Sequence, residues 1–333
     1  MLSNETVSVA LCTHNGARYV REQVTSILAQ TLLPIEIVVS DDASSDDTLA
    51  IIRSTVAEWA ASGLETSVQL VVLENTRPLG VTANFEQAIR ATSGSLVALC
   101  DQDDRWRSDR LESATAQFTK RADLDLLFTD ARLIDGDGGV LPATLLSTLE
   151  VGPRDRSVVH SGEALKLFIR RNLATGATVM FRRGVLTEAL PFPRTWVHDE
   201  WLATLTACLG RVDLLDEALV DYRQHTSNQI GVVSPTLKRK ISRVFEPRGA
   251  RNALIAAKFQ DLADRLRSLG DRVPAEVLRS VSEKVDAETS RAALPSNRLA
   301  RIPWIFRALE RKWYANYFSQ GWRDVFRDLL QPH

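Results

Sequence analysis

Hydrophobic and polar positions in the first hundred residues alternate between two kinds of run. Short apolar stretches at Val7–Cys12, Ile35–Ser40, Val68–Leu73 and Leu96–Cys100 each end in a polar turn. Between them lie longer segments with apolar residues at helical spacing: Ala17–Gln30, where Tyr19, Val24, Ile27 and Leu28 fall near one face, about Asp47 to Ser62, and Val81–Thr92. Asp46 or Asp47 suits the N-cap of the second of these helices. Strand–helix alternation with short loops predicts right-handed crossovers and an α/β fold with a mainly parallel sheet flanked by helices. Such sheets bind ligands beyond the carboxyl ends of their strands. Three polar turns share that edge: Thr13–Gly16, Asp41–Asp47 and Asp101–Asp104.

The pattern loosens after residue 125. Leu126–Ala131, Thr178–Arg182 and Val212–Asp221 read as strands, and Ser161–Arg170 and Asp199–Leu209 as helices. From Pro235 onward no strand is expected, and helical stretches are broken by Pro247, Pro274 and Pro295. We therefore place a boundary near residue 235, with an α/β domain over 1–235 and a helical C-terminal extension over 236–333. Charge divides at the same point. Residues 1–235 carry 21 Lys or Arg against 31 Asp or Glu, a net of −10, while residues 236–333 carry 20 against 11, a net of +9. Such asymmetry suggests that the two parts meet different partners.

At 44% hydrophobic and 25% charged, the chain is too apolar to be disordered. No apolar run reaches the ~18 residues of a membrane span, and Met1–Ala10 lacks a signal-peptide profile. Cys12, Cys100 and Cys208 are widely spaced in apolar surroundings, which fits neither a disulfide framework nor a zinc site. A reducing cytoplasm is the expected location.

The strongest chemical feature is Leu99-Cys100-Asp101-Gln102-Asp103-Asp104-Arg105-Trp106. A buried strand feeding an Asp-x-Asp turn brings carboxylates to the ligand edge, and Mg²⁺ or Mn²⁺ takes such oxygens together with substrate phosphates. Taken alone, the turn could equally be an acidic cap for a helix starting near Arg107. Asp104 fits either role, and Trp106 reads as packing beneath the turn.

Several segments in order, VALCTHNG (9–16), VVSDDASSDDT (38–48), NTRPLGVTANFEQAI (75–89) and ALCDQDDRW (98–106), resemble the inverting family 2 glycosyltransferases with a GT-A fold. ATGATVMFRR (174–183), VHDEWLA (197–203) and YRQHTSNQIG (222–231) look most like the rhamnosyltransferase-like branch, which builds cell-surface polysaccharide. The resemblance implies a nucleotide-sugar-binding domain that uses Mg²⁺ or Mn²⁺. It places Thr13 and Asn15 against the donor nucleotide, Asp42 on the base, Asp101 near the ribose or metal, and Asp103 on the metal. His225 becomes a further metal candidate, and Arg223 and Asn228 phosphate contacts. Gly80 and Asn84 match the loop and helix start after the third strand, and Gly176 lines the acceptor end. Asp199 becomes the base that takes the acceptor hydroxyl's proton, with Glu200 as the alternative. A helix N-terminus favours its ionised form and burial opposes it. His14, His160, His198 and His333 receive no assignment.

The implied activity is inverting transfer of a sugar, with L-rhamnose from dTDP-rhamnose as the first choice and UDP- or GDP-linked donors as alternatives, to a saccharide or lipid-linked acceptor. A nucleotidyltransferase would need a Gly-rich, Lys-bearing phosphate loop, which Leu11–Arg18 lacks. A non-catalytic scaffold of a polysaccharide assembly complex is the alternative from another class. Nucleic acid is not an expected partner, because an acidic cleft repels phosphates. Between Arg298 and Asp328 seven Lys or Arg face three acidic residues, and eight aromatics fall between Trp304 and Phe326. That composition suits peripheral contact with the inner face of an anionic membrane, or packing inside the chain or in a homo-oligomer.

Overall fold

A computed structural model of the chain describes residues 5–63, 67–225 and 250–332. The boundary proposed near residue 235 lies outside the described residues, as does Asn228. The chain packs as two compact units. The first comprises the segment up to Ala164, Leu173–Thr206 and Gly210 through the end of the last strand; the second comprises Leu165–Asn172, Ala207–Leu209 and the C-terminal helices.

The first unit is built on one sheet. Strands β1 (Val7–Thr13), β2 (Glu36–Asp41), β3 (Gln69–Glu74) and β4 (Leu96–Cys100) are parallel, in the order β3-β2-β1-β4. Helices α1 (Val20–Leu28), α2 (Thr48–Ala60) and α3 (Val81–Arg90) connect them. Every residue of β1, β2 and β4 is buried, as expected for parallel strands covered on both faces. The sheet continues through β8 (Met180–Arg182), β6 (Leu124–Ile134), β9 (Arg211–Arg223) and β5 (Arg105–Trp106). β8 runs antiparallel to β4 and β6, β9 parallel to β6, and β5 antiparallel to β9; β7 (Val140–Thr144) pairs with β6. The α/β architecture read from the sequence is therefore present, with antiparallel additions on one side.

Helix α4 (Arg110–Lys120) follows β5, and α5 (Leu145–Thr148), α6 (Pro153–His160), α7 (Leu165–Phe168) and α8 (Leu186–Ala189) are short. The helix expected over Ser161–Arg170 is reduced to the single turn of α7. The chain instead starts α6 at Pro153, whose missing N–H costs nothing in a first helical turn, and Asp155 accepts from the Gly152 amide. Helix α9 (His198–Leu209) leads into β9. The second unit holds α10 (Arg251–Ser268), α11 (Ala275–Ala292), α12 (Ile302–Glu310), α13 (Trp313–Asn316) and α14 (Arg323–Leu330). Its described residues contain no strand. The three cysteines are free and buried, and no helix of the described residues is long and apolar enough to cross a membrane.

Candidate active site

The turns after β1 and β2 lock together through side chains. The Thr13 hydroxyl donates to Asp41 Oδ1 at 2.6 Å, and Asp41 also accepts from the hydroxyl and amide of Ser44. Asn15 has a left-handed backbone, φ 50°; its amide donates to Ser44 and its Oδ1 accepts from the Ser45 amide at 2.8 Å. Asp41 is thus the organiser of its turn. Asp42 accepts from the Leu79 amide and, at 3.0 Å, from that of Gly80, so it fixes the entry to α3 while its edge faces the cavity described below. Asn84 is buried and bolts α3 to β2, accepting from the Ser40 hydroxyl at 2.6 Å and donating to the Ser40 carbonyl at 2.9 Å.

The carboxylate turn is tied to the first turn by Gln102, which both accepts from the His14 amide (2.8 Å) and donates to the His14 carbonyl (3.0 Å). A Cβ on Gly16 would lie 2.2 Å from Gln102 Oε1, so this clamp closes only over a glycine. Asp103 Oδ2 lies 2.8 Å from His225 Nε2, and the His225 ring stacks on Tyr19 with centroids 4.9 Å apart. Asp104 is buried and accepts from the Arg223 amide at 2.9 Å. It therefore joins β9 to the turn and does not cap α4, which begins six residues later with Asp109 at its N-cap position.

Burial, then the neighbouring charges of Asp103 and Asp199, push the Asp101 carboxyl up to about 7. Burial, then the neighbouring charges of Asp103 and Asp101, raises Asp104 well above the usual carboxylate range. Beneath the turn the buried Arg110 guanidinium lies over the Trp106 ring at 3.7 Å and donates to the Leu99 carbonyl; burial lowers it to about 10 against the pull of the nearby acids. Trp106 is accordingly a buried packing residue.

Arg223 does not reach the cavity where a phosphate contact was expected. Its side chain is buried, donating through Nε to the Asp103 carbonyl at 2.7 Å and through Nη2 to Glu22 at 2.6 Å. A guanidinium that meets a carboxylate on α1 has its donors committed inside the fold, and here it holds the carboxylate turn in place.

Asp199 stands in the first turn of α9. Its Oδ2 accepts from the Gly176 amide at 2.8 Å and its Oδ1 from the Glu200 amide at 2.6 Å. A Cβ at Gly176 would lie 2.9 Å from His198 Nε2 and 3.5 Å from Asp199 Cβ, so glycine permits this approach. His198 is buried against Phe85, rings nearly parallel with centroids 3.7 Å apart, and neither ring nitrogen has a hydrogen-bond partner among the described residues. Burial lowers its pKa to about 3, so the ring is neutral.

One cavity of about 540 Å³ collects these groups. Its walls include Thr13, Asn15, Asp42, Asp101, Asp103, Asp199 and His225, all singled out from the sequence, together with Asn84 and Gly176. Glu200 and Arg223 are not among the lining residues. His14, Tyr19, Phe85, Gln102, His198 and Tyr222 line it without having been assigned a role. Gln102 lies inside the Asp-x-Asp motif, and that position was the one signal that could have marked it. Among the described residues no three acidic, His or Cys side chains converge as a preformed metal cage. The Asp103–His225 pair offers one oxygen and one nitrogen, which fits Mn²⁺ or Mg²⁺ sites where substrate phosphates and water complete the shell.

A mostly parallel sheet whose strand-end turns meet in one acidic cavity, flanked by helices and followed by further helices, defines a GT-A-type fold. Residues 8–189 match the family described as Glycosyl transferase family 2, and the chain belongs to that family. An uncharacterised protein of Mycobacterium tuberculosis is 27% identical over 335 residues, spanning 97% of this chain and 87% of its own length. S. aureus TarS 1–349 in complex with UDP shares the fold at a TM-score of 0.52 and 19% identity, covering 97% of this chain and 89% of that one. A mannosyltransferase from Pyrobaculum calidifontis in complex with GDP-Man and Mn²⁺ does so at 0.50 and 18%, covering 98% and 86%.

Proposed function

We propose that this glycosyltransferase moves a sugar from a nucleoside diphosphate to a hydroxyl of a saccharide or lipid-linked acceptor, inverting the anomeric centre. One observation carries the proposal: Asp199 and the Asp103–His225 pair line the same cavity at the ligand edge of the sheet. Inversion in a single displacement needs one base on the side opposite the leaving group. Asp199 takes that role, its carboxylate aimed by the amides of Gly176 and Glu200. Glu200, outside the cavity wall, is left as a residue of the α9 first turn.

Thr13, Asn15 and Asp42 form the nucleotide side, where Asp42 presents an acceptor-only carboxylate to a pyrimidine N–H. Asp103 and His225 would hold a divalent cation, with Asp101 beside them. When bound, such an ion supplies neutralisation of charge on the departing diphosphate. Arg223 acts as a positioning residue through Asp103 and Glu22. The donor proposed first is dTDP-L-rhamnose, on the strength of segments 174–183, 197–203 and 222–231; UDP- and GDP-linked sugars are the competing donors. Cytoplasmic residence suits the three free, buried cysteines.

The test offers purified protein a panel of nucleotide sugars with Mg²⁺ or Mn²⁺ and measures release of nucleoside diphosphate, then the anomeric configuration of the product. Release of dTDP alone supports the rhamnose donor. Retained configuration, or activity surviving unchanged in Asp103→Asn with its metal dependence intact, overturns the mechanism.

A further inference from the structure

The C-terminal unit sorts its aromatic and charged residues into two sets. Trp313, Tyr314, Tyr317 and Phe318 are buried. So are the acids Asp324 and Asp328, which pair with the buried Arg291 at 3.1 and 2.9 Å, Asp328 also accepting from the Tyr314 hydroxyl. Arg301 turns inward as well, donating to the carbonyls of Asp328 and Gln331. These residues are committed to the interior.

The second set faces outward. On α12, Ile302, Phe306 and Leu309 occur at i, i+4 and i+7, one stripe of the helix, and are exposed by 36%, 63% and 45%. Leu299 just before it is 74% exposed. At α14, Trp322 and Phe326, 67% and 52% exposed, meet edge to face with centroids 5.8 Å apart. Arg298, Arg307, Arg311, Lys312 and Arg323 are also exposed, and none has an acidic partner among the described residues. Glu310 is the exposed acid of this stretch; the other two acids are the buried pair.

We propose that this surface, from Leu299 to Phe326, docks on an anionic lipid bilayer, its apolar side chains entering the headgroup layer and its five cations meeting lipid charge. Large bare apolar side chains mark an interaction surface, and the surplus of unpaired cations names its partner by charge. A second copy of the chain is the poorer occupant, because a twofold contact sets the same patch against itself and opposes like charges. An anionic bilayer supplies the opposite sign, and apolar insertion combined with basic attraction gives peripheral rather than spanning attachment. The inference is independent of the transferase chemistry proposed above.

The experiment is co-sedimentation of the full chain with phosphatidylcholine vesicles and with vesicles containing phosphatidylglycerol, at low and high salt. Binding should favour the anionic vesicles at least about tenfold and weaken with salt. The triple variant Arg307→Gln, Arg311→Gln, Arg323→Gln should lose about a hundredfold on anionic vesicles, about fivefold per cation. The variant Phe306→Ser, Trp322→Ser should lose binding at either salt concentration. These side chains are exposed, so unchanged thermal unfolding certifies both variants as folded. Equal or negligible binding to both vesicle types overturns the proposal. So does a dimer, seen by light scattering, that the apolar variant dissolves while vesicle binding is absent.

Discussion

Replacing His198 by phenylalanine should make the protein more resistant to acid. The imidazole is 4% exposed, stacks on Phe85 and has no hydrogen-bond partner on either nitrogen among the described residues, and burial lowers its pKa from 6.5 to about 3. The unfolded chain takes up a proton as the pH falls below 6.5, while the native ring stays neutral until about 3. The folded value is the lower one, so the associated stability is full above pH 6.5 and is lost progressively on the way down to about 3. At about pH 5 the loss is roughly 1.5 pH units at about 1.4 kcal/mol each, or about 2 kcal/mol. Phenylalanine keeps an aromatic face against Phe85 and removes the titration. Urea unfolding of both proteins at about pH 7.5 and about pH 5 isolates the effect, because every other titrating group is common to the two. The variant should gain about 2 kcal/mol on the parent between the two conditions. A parent–variant difference that stays constant across this range would refute the argument: the ring would then accept a proton in the native state at no greater cost than in water.

Asp199→Asn should cut transfer by about a thousandfold while calorimetry finds donor affinity within about twofold of the parent, since only the proton acceptor is removed. If affinity falls with the rate, Asp199 binds substrate instead. Gly16→Ala should push Gln102 off the His14 backbone and weaken nucleotide binding about tenfold; adding Gln102→Ala should then cost nothing further, and fully additive losses would disprove the clamp. Arg291→Met should destabilise the C-terminal unit by about 3–5 kcal/mol, because Asp328 stays buried without its cation and Asp324 keeps only the 3.7 Å contact of Arg327. Thermal unfolding measures this, and Asp328→Asn in the same chain should recover part of it.

What the sequence made legible follows from where the physical information lies. β1, β2 and β4 announce themselves as short, largely apolar runs, as parallel strands covered on both faces do. The turns that end β1, β2 and β4 were readable for the same reason. β5, two residues long, and β7, mostly exposed, carry no periodic signal and were missed. Residue roles divide along the same line. Asp103 and His225 were singled out by the motifs around them, yet their 2.8 Å contact joins positions 122 apart in the chain. Arg223 reads as a phosphate donor because nothing near it in sequence discloses Glu22, its partner 201 positions earlier. His198 sits beside Asp199 in a segment rich in chemistry, and only its packing on Phe85 reveals a neutral, unpartnered ring.

The disposition of the arginines decides how the cavity can meet a diphosphate. Asp42, Asp101, Asp103 and Asp199 line it, and Asp101 is raised to about 7 by burial and by two of these neighbours. Arg223 is committed to Glu22 and the Asp103 carbonyl, and Arg110 lies behind the wall over Trp106. Arg18, among the lining residues, has a side chain 69% exposed and rests 4.9 Å from the Tyr19 ring, placing its charge where water screens it. A nucleoside diphosphate entering such a site opposes its own charges to this acidic lining. The proposed reaction therefore makes donor affinity depend on a divalent cation more steeply than on any arginine among the described residues. Arg18→Gln should lower donor affinity less than chelation of the metal does. The reverse order, an arginine that matters more than the cation, would mean that the phosphates lie at the rim and that the Asp103–His225 pair serves the fold alone.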